Sequence, residues 1–171
     1  HRGTTSEQVV DPTPVIRRLA ERLGAMQRPP RPRLVVADLP PLKVSAILVE
    51  RIFYNLIGNS IKYSAGRDLP LIEVGTVPST KAGHAVLFVR DNGVGFGAAE
   101  GQRLFQEFSR LSTSEGRDGL GLGLSLVARL IKSHQGRIWA EGTPGVGATF
   151  FVELPAAPNE STPPASPPLA G

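Results

Sequence analysis

Two asparagines four residues apart, Asn55 and Asn59, interrupt the otherwise apolar segment Leu48 to Ser64. Residues at that spacing stand one above the other on a helix. With Lys62 and Tyr63 they occupy a stripe about 100° wide, beside an apolar face made by Ile52, Phe53, Leu56 and Ile57. A half-buried amide without a partner costs on the order of 1–3 kcal/mol. Two stacked amides followed by a lysine therefore call for something polar against this face, and an oxygen-bearing ligand with a metal ion suits them.

Two glycine-rich segments could complete such a site. Asp91-Asn92-Gly93-Val94-Gly95 follows an apolar run; its glycines let backbone approach a flat ligand, and its carboxylate is an acceptor suited to an exocyclic amine. By itself Asp-Asn-Gly is also a good turn. Asp118-Gly119-Leu120-Gly121-Leu122-Gly123-Leu124 runs into a helical pattern. Glycines at spacing two at a helix start suit first-turn amides that approach phosphates, or else a hinge. No Gly-Lys dipeptide occurs, which excludes a Walker A loop, and the glycines do not follow the Rossmann pattern.

The elements that must position these residues follow from periodicity. Asp11 caps a helix that opens on Pro12 and carries Val15, Ile16, Leu19 and Leu23 inward for about four turns. Arg33 to Asp38 reads as a strand, and Ser45 caps the asparagine helix, which ends near Ala65-Gly66. Leu71 to Val77 and Ala85 to Arg90 read as strands. Gly97 to Gly119 reads as a long functional loop with a helical piece over Glu100 to Phe108. A helix over Leu120 to His134 and closing strands over Gly136 to Glu141 and Ala148 to Leu154 complete an α/β sandwich, with about three helices on one face of a mixed sheet of about five strands. Residues 1–10 read as a linker, 11–154 as the domain, and 155–171, rich in proline, alanine and serine, as a disordered tail.

The chain has 171 residues, enough for one domain with a substantial core. It has no cysteine, which removes disulfides and thiol chemistry and fits a cytoplasmic setting. No apolar run approaches a membrane span, so membrane contact is not expected. The chain starts at His1 without methionine, as an excised fragment would. Six arginines crowd the first fifth, from Arg17 to Arg33. With no nucleic-acid reader motif and no interleaved aromatics, they read as a solvated face rather than a nucleic-acid footprint.

Taken in order, the Asn-x-x-x-Asn helix, Asp-x-Gly-x-Gly, Phe105-x-x-Phe108, Gly-Leu-Gly-Leu-Gly and Gly145-x-Gly147-x-x-Phe150 resemble the catalytic ATP-binding domain of bacterial sensor histidine kinases, in the superfamily shared with gyrase, mismatch-repair ATPases and the large heat-shock chaperone. The resemblance covers about residues 11–154 and implies the Bergerat fold, ATP and Mg²⁺ as ligands, and a lid over about 97–119. It implies that Asn59 ligates Mg²⁺, Asn55 supports the nucleotide and metal network, Lys62 binds phosphate and Tyr63 lies along the nucleotide. Asp91 takes the adenine amine, with Gly93 and Gly95 admitting the base. Arg110 reaches the phosphates, Gly119, Leu120, Gly121, Leu122 and Gly123 form the phosphate-side hinge, and Thr149 backs the base pocket. Ala148 and Ser60 depart from the residues most frequent at their positions. No base or nucleophile is expected within the chain.

The resemblance also implies partners: a dimeric helical phosphoacceptor domain of the same kinase and a downstream response regulator in two-component signalling. No such helical hairpin precedes residue 11, so the fragment is expected to be monomeric and not to phosphorylate itself. ATP-hydrolysing relatives carry glutamate where Asn55 stands, and an amide cannot activate water. The alternatives are a stand-alone serine kinase of the anti-sigma type and a non-catalytic nucleotide-sensing module.

Overall fold

The computed structural model describes residues 8–106 and 123–158. Helix α1 spans Pro12–Ala25, and Asp11 caps it by accepting from Thr13 N–H at 3.0 Å. Strand β1 (Arg33–Val36) leads to α2 (Ala46–Ser64), whose cap Ser45 accepts from Leu48 N–H at 3.1 Å. Both caps satisfy amides that the first turn leaves without a partner. Then follow β2 (Leu71–Val77), β3 (His84–Asp91), the one-turn helix α3 (Ala98–Gly101), α4 (Gly123–Ser133), β4 (Arg137–Thr143) and β5 (Gly147–Pro155).

The strands form one sheet in the order β1-β2-β3-β5-β4. β1 runs parallel to β2, as a connection through a helix requires, and the other pairs are antiparallel. Alternation along the strands divides the sheet into two faces. Ile72, Val74, Leu87, Val89, Phe150, Val152 and Leu154 are buried beneath the helices. Against them pack Ile16 and Leu19 of α1, Ile52, Phe53, Leu56 and Ile57 of α2, and Val127 and Ile131 of α4. This is the expected two-layer α/β sandwich.

The helix-free face carries an aromatic row. Trp139 stacks on Phe151 with ring centroids 5.3 Å apart and planes 12° from parallel. Phe88 lies opposite Phe151 in the register and continues the row over Gly75, where a β-carbon would stand 2.7 Å from its ring. Arg137 covers Trp139 at 4.2 Å and Arg90 covers Phe88 at 4.8 Å, so guanidinium planes screen the rings from water.

Three expectations shift. Of the helical piece expected over Glu100 to Phe108, the part up to Gln106 is described, and there the helix is a single turn at Ala98–Gly101, after which Phe105 packs edge-on against Phe150 at 6.4 Å. The domain does not end at Leu154: Pro155 belongs to β5, Ala156 pairs with Leu42, and Ala157 N–H donates to Pro41 O. Val10, assigned to the linker, also pairs with Leu42, so both ends of the domain meet on that fully buried residue. No helix among the described residues is long and apolar enough to cross a membrane.

Candidate functional site

α2 brings its polar stripe between the loop after β3 and the start of α4. Asn55 and Asn59 are half-buried, as are Lys62 and Tyr63. Asn55 Nδ2 donates to Arg51 O at 2.9 Å, one turn back, which fixes the amide plane. Its Oδ1 is turned toward Gly123, the first residue of α4.

Asp91 closes β3 and lies beneath α2, 5% exposed. Its Oδ1 accepts from Gly93 N–H at 2.8 Å. Its Oδ2 is buried and has no hydrogen-bond partner, and neither has the fully buried Ser60 Oγ on the overlying turn of α2. Burial pushes the Asp91 carboxyl above its ordinary value, and the hydrogen bond from Gly93 N–H only partly opposes that shift. A buried carboxylate oxygen without a donor is costly. The N–H of a bound base would satisfy it.

The loop after Asp91 is glycine-rich because backbone crowds it from both sides. A β-carbon on Gly93 would lie 2.5 Å from Tyr63 O, and one on Gly95, at φ 66°, would run into Thr143 O. Val94 N–H donates to Tyr63 O at 3.1 Å, and Gly145 N–H to Val94 O at 2.8 Å. The loop is thus wedged between the end of α2 and the β4–β5 turn.

The structure therefore brings the Asp91–Gly95 loop against Tyr63 and sets Asn55 against Gly123, with Asn59 and Lys62 on the same helix α2. Arg110, Gly119, Leu120, Gly121, Leu122 and Phe108 lie outside the described residues. Thr149 is a correction. It pairs with Arg90 on β3, one position away from the Asp91–Ala148 pair, and its Oγ1 accepts from Arg90 Nε at 3.4 Å on the helix-free face. Ala148, the register partner of Asp91, is the residue buried toward the helices.

Among the described residues no group of three or more His, Asp or Glu side chains could cage a cation. A donor set of amide oxygens suits a hard ion that keeps its waters and is shared with substrate phosphates, which is how Mg²⁺ is commonly held. The clefts along α1 and β1, lined by residues such as Arg17, Asp38 and Leu39, contain none of the site's residues.

Sequence reasoning missed Arg67. This loop residue donates from Nε to Asn92 O at 2.7 Å and from Nη2 to Gly93 O at 2.9 Å and to Gly145 O. In sequence it was one more charged residue in a Gly-Arg-Asp turn, and its partners lie up to 78 positions away.

Residues 45–158 match the family described as histidine kinase-, DNA gyrase B-, and HSP90-like ATPase. The chain belongs to this family. Within it, the chain is an ATP-binding catalytic domain of the sensor histidine kinase kind. It is 37% identical over 120 residues to the phytochrome-like protein Cph1 of Synechocystis sp., covering 70% of this chain and 16% of that protein. It is 38% identical over 116 residues to the methanogenesis regulatory histidine kinase FilI of Methanothrix harundinacea, covering 68% and 13%. It is 34% identical over 143 residues to the adaptive-response sensory kinase SasA of a Synechococcus strain, covering 83% and 37%. The chain thus spans well under half the length of these relatives. Among solved structures, full-length ShkA in complex with AMPPNP superposes with a TM-score of 0.75 at 26% identity, covering 89% of this chain and 31% of that one. The mycobacterial sensor histidine kinase MprB gives 0.73 at 23% identity, covering 89% and 100%, and shares the fold.

Proposed function

We propose that this domain binds Mg²⁺·ATP in the groove beside α2 and presents the γ-phosphate to a histidine on a separate dimeric helical phosphoacceptor domain of the same kinase. A response regulator would then receive the phosphoryl group. The observation that carries this reading is the buried, unpartnered Oδ2 of Asp91 at the end of β3. Asp91 would take the adenine amine. Tyr63 would lie along the nucleotide, Lys62 and Arg110 would hold phosphate, and the amides at Gly119 to Gly123 would close over the phosphates. Asn59 would contribute its amide oxygen to Mg²⁺, whose charge would neutralise phosphate oxygens.

Phosphoryl transfer is mainly positioning and charge neutralisation, which these residues supply. The attacking imidazole nitrogen forms the new N–P bond as the bond from γ-phosphorus to the bridging oxygen breaks and ADP leaves. The imidazole and the acceptor of its proton belong to the partner domain. Asn55, an amide where hydrolysing relatives carry glutamate, cannot take a proton from water, so the domain would keep ATP intact until the histidine arrives. A cytoplasmic setting, where ATP and Mg²⁺ are available, fits this role.

The test is incubation with γ-labelled ATP, with and without the helical domain. Label on a histidine of the added domain alone supports the reading. Rapid phosphate release without that domain would assign the chain to the hydrolases, and label on a serine would assign it to the serine kinases.

A further inference from the structure

Arg67 addresses three main-chain carbonyls, Asn92 O, Gly93 O and Gly145 O, which belong to two segments remote in sequence. It sits three residues past the end of α2, with its own N–H on Ser64 O at 3.0 Å. One guanidinium therefore joins the end of the asparagine helix, the loop after Asp91 and the β4–β5 turn. Its planar fork can meet carbonyls arriving from different directions, whereas a lysine ammonium is a single point charge. The convergence matters most at Gly93. That residue's N–H aims the Asp91 carboxylate by donating to Oδ1, and its C=O is held by Arg67. The Asn92 side chain adds bonds to Leu71 N–H and Leu69 O, which tie the same loop to the start of β2. The loop that positions Asp91 is thus held along its length, and Arg67 reinforces the Val94–Gly145 backbone bond in tying it to the β4–β5 turn.

We propose that Arg67 is a positioning residue of the nucleotide groove: by latching Gly93 to the β4–β5 turn it fixes the aim of Asp91, and so sets affinity for the base half of the nucleotide. This rests on the reading of Asp91 as the base-recognising group. Arg67 itself touches neither base nor phosphate. Its loss therefore acts on binding and leaves phosphoryl transfer from bound ATP intact.

The experiment compares wild type, Arg67→Ala, Arg67→Lys and Asp91→Asn by calorimetry with ATP, ADP and adenosine, and by transfer kinetics to the phosphoacceptor domain. Arg67→Ala is expected to weaken all three ligands by a common factor of about tenfold, the equivalent of one charge-assisted hydrogen bond. The KM for ATP rises and kcat stays within about twofold. Arg67→Lys recovers only part of the loss, and millimolar guanidinium restores affinity to Arg67→Ala but not to wild type. If Arg67→Ala does not fold, Arg67→Lys carries the test, with faster hydrogen exchange at the Gly93 and Val94 amides in the nucleotide-free protein as the expected result. Wild-type affinity in the position-67 variants, a fall in kcat at unchanged KM, or unchanged exchange at Gly93 would overturn the latch. Wild-type affinity in Asp91→Asn would instead overturn the base-site reading, and the functional part of the latch with it.

Discussion

Asn55 Oδ1 stands 3.0 Å from the point where a β-carbon on Gly123 would sit, so the asparagine helix and the first residue of α4 meet with room for a hydrogen and little more. Because Asn55 Nδ2 is committed to Arg51 O, the amide cannot turn away without losing a hydrogen bond.

Gly123→Ala should separate stability from binding. Alanine is favoured over glycine in a helix by up to ~1 kcal/mol, which is offset by the Asn55–Arg51 hydrogen bond that the displacement strains, so the melting temperature should change little. ATP affinity should fall several-fold, because the new methyl displaces Asn55. Calorimetry beside a thermal melt reads both, and normal ATP binding would take Asn55 out of the nucleotide network.

Asp91→Asn should also move stability and binding in opposite directions. Burial raises the carboxyl above 3.8, so the folded protein keeps this proton to a higher pH than the unfolded chain does. Stability contributed by the protonated form is present below 3.8 and is lost as pH rises through the raised value; above it, the buried charge is a standing cost. Asparagine removes that cost, so nucleotide-free Asp91→Asn should melt higher than wild type at neutral pH and lose this part of the pH dependence. Binding of ATP, ADP and adenosine should weaken together, since the contact is to the base they share. A loss confined to ATP would contradict that role.

Mg²⁺ should bind only with nucleotide. With no acidic cage among the described residues, the cation depends on the phosphates and on Asn59. Titration with Mg²⁺ alone should be silent, EDTA should weaken ATP binding to wild type, and Asn59→Ala should abolish that difference. An EDTA effect of equal size in Asn59→Ala would remove Asn59 as a ligand.

Ser45→Ala should act on stability alone. Losing the bond from Leu48 N–H to Ser45 Oγ costs about 1 kcal/mol, or roughly 2–4 °C in melting temperature. The asparagines lie more than two turns further on, so ATP affinity of the folded protein should be unchanged.

The parts of the fold most legible in sequence were those set by local chemistry. Asp11 and Ser45 announce their helices as caps, and alternating burial marks β2, β3 and β5. The placement of Thr149 was readable and was missed. Phe150 lies in the core, so residues two apart share its face, and Ala148 rather than Thr149 had to face Asp91. The domain's end was not readable, because the partner that extends it, Leu42, is more than a hundred positions before Ala156. Arg67 was invisible for the same reason: a carbonyl acceptor leaves no trace in residue type. Spacing thus put Asn55, Asn59, Lys62 and Tyr63 on one stripe of α2, but the backbone contacts around Asp91 could not be read from it.

Trp139 is the chain's single tryptophan, and it lies against Phe151 and under Arg137 on the face of the sheet away from the helices. Its emission is therefore governed by ring stacking and a fixed cation on the far side of the sheet from the groove. Excited beyond tyrosine absorption, this ring should report unfolding of β4 and β5 from the face opposite the nucleotide site, so a fluorescence melt with and without nucleotide should read linkage energies directly.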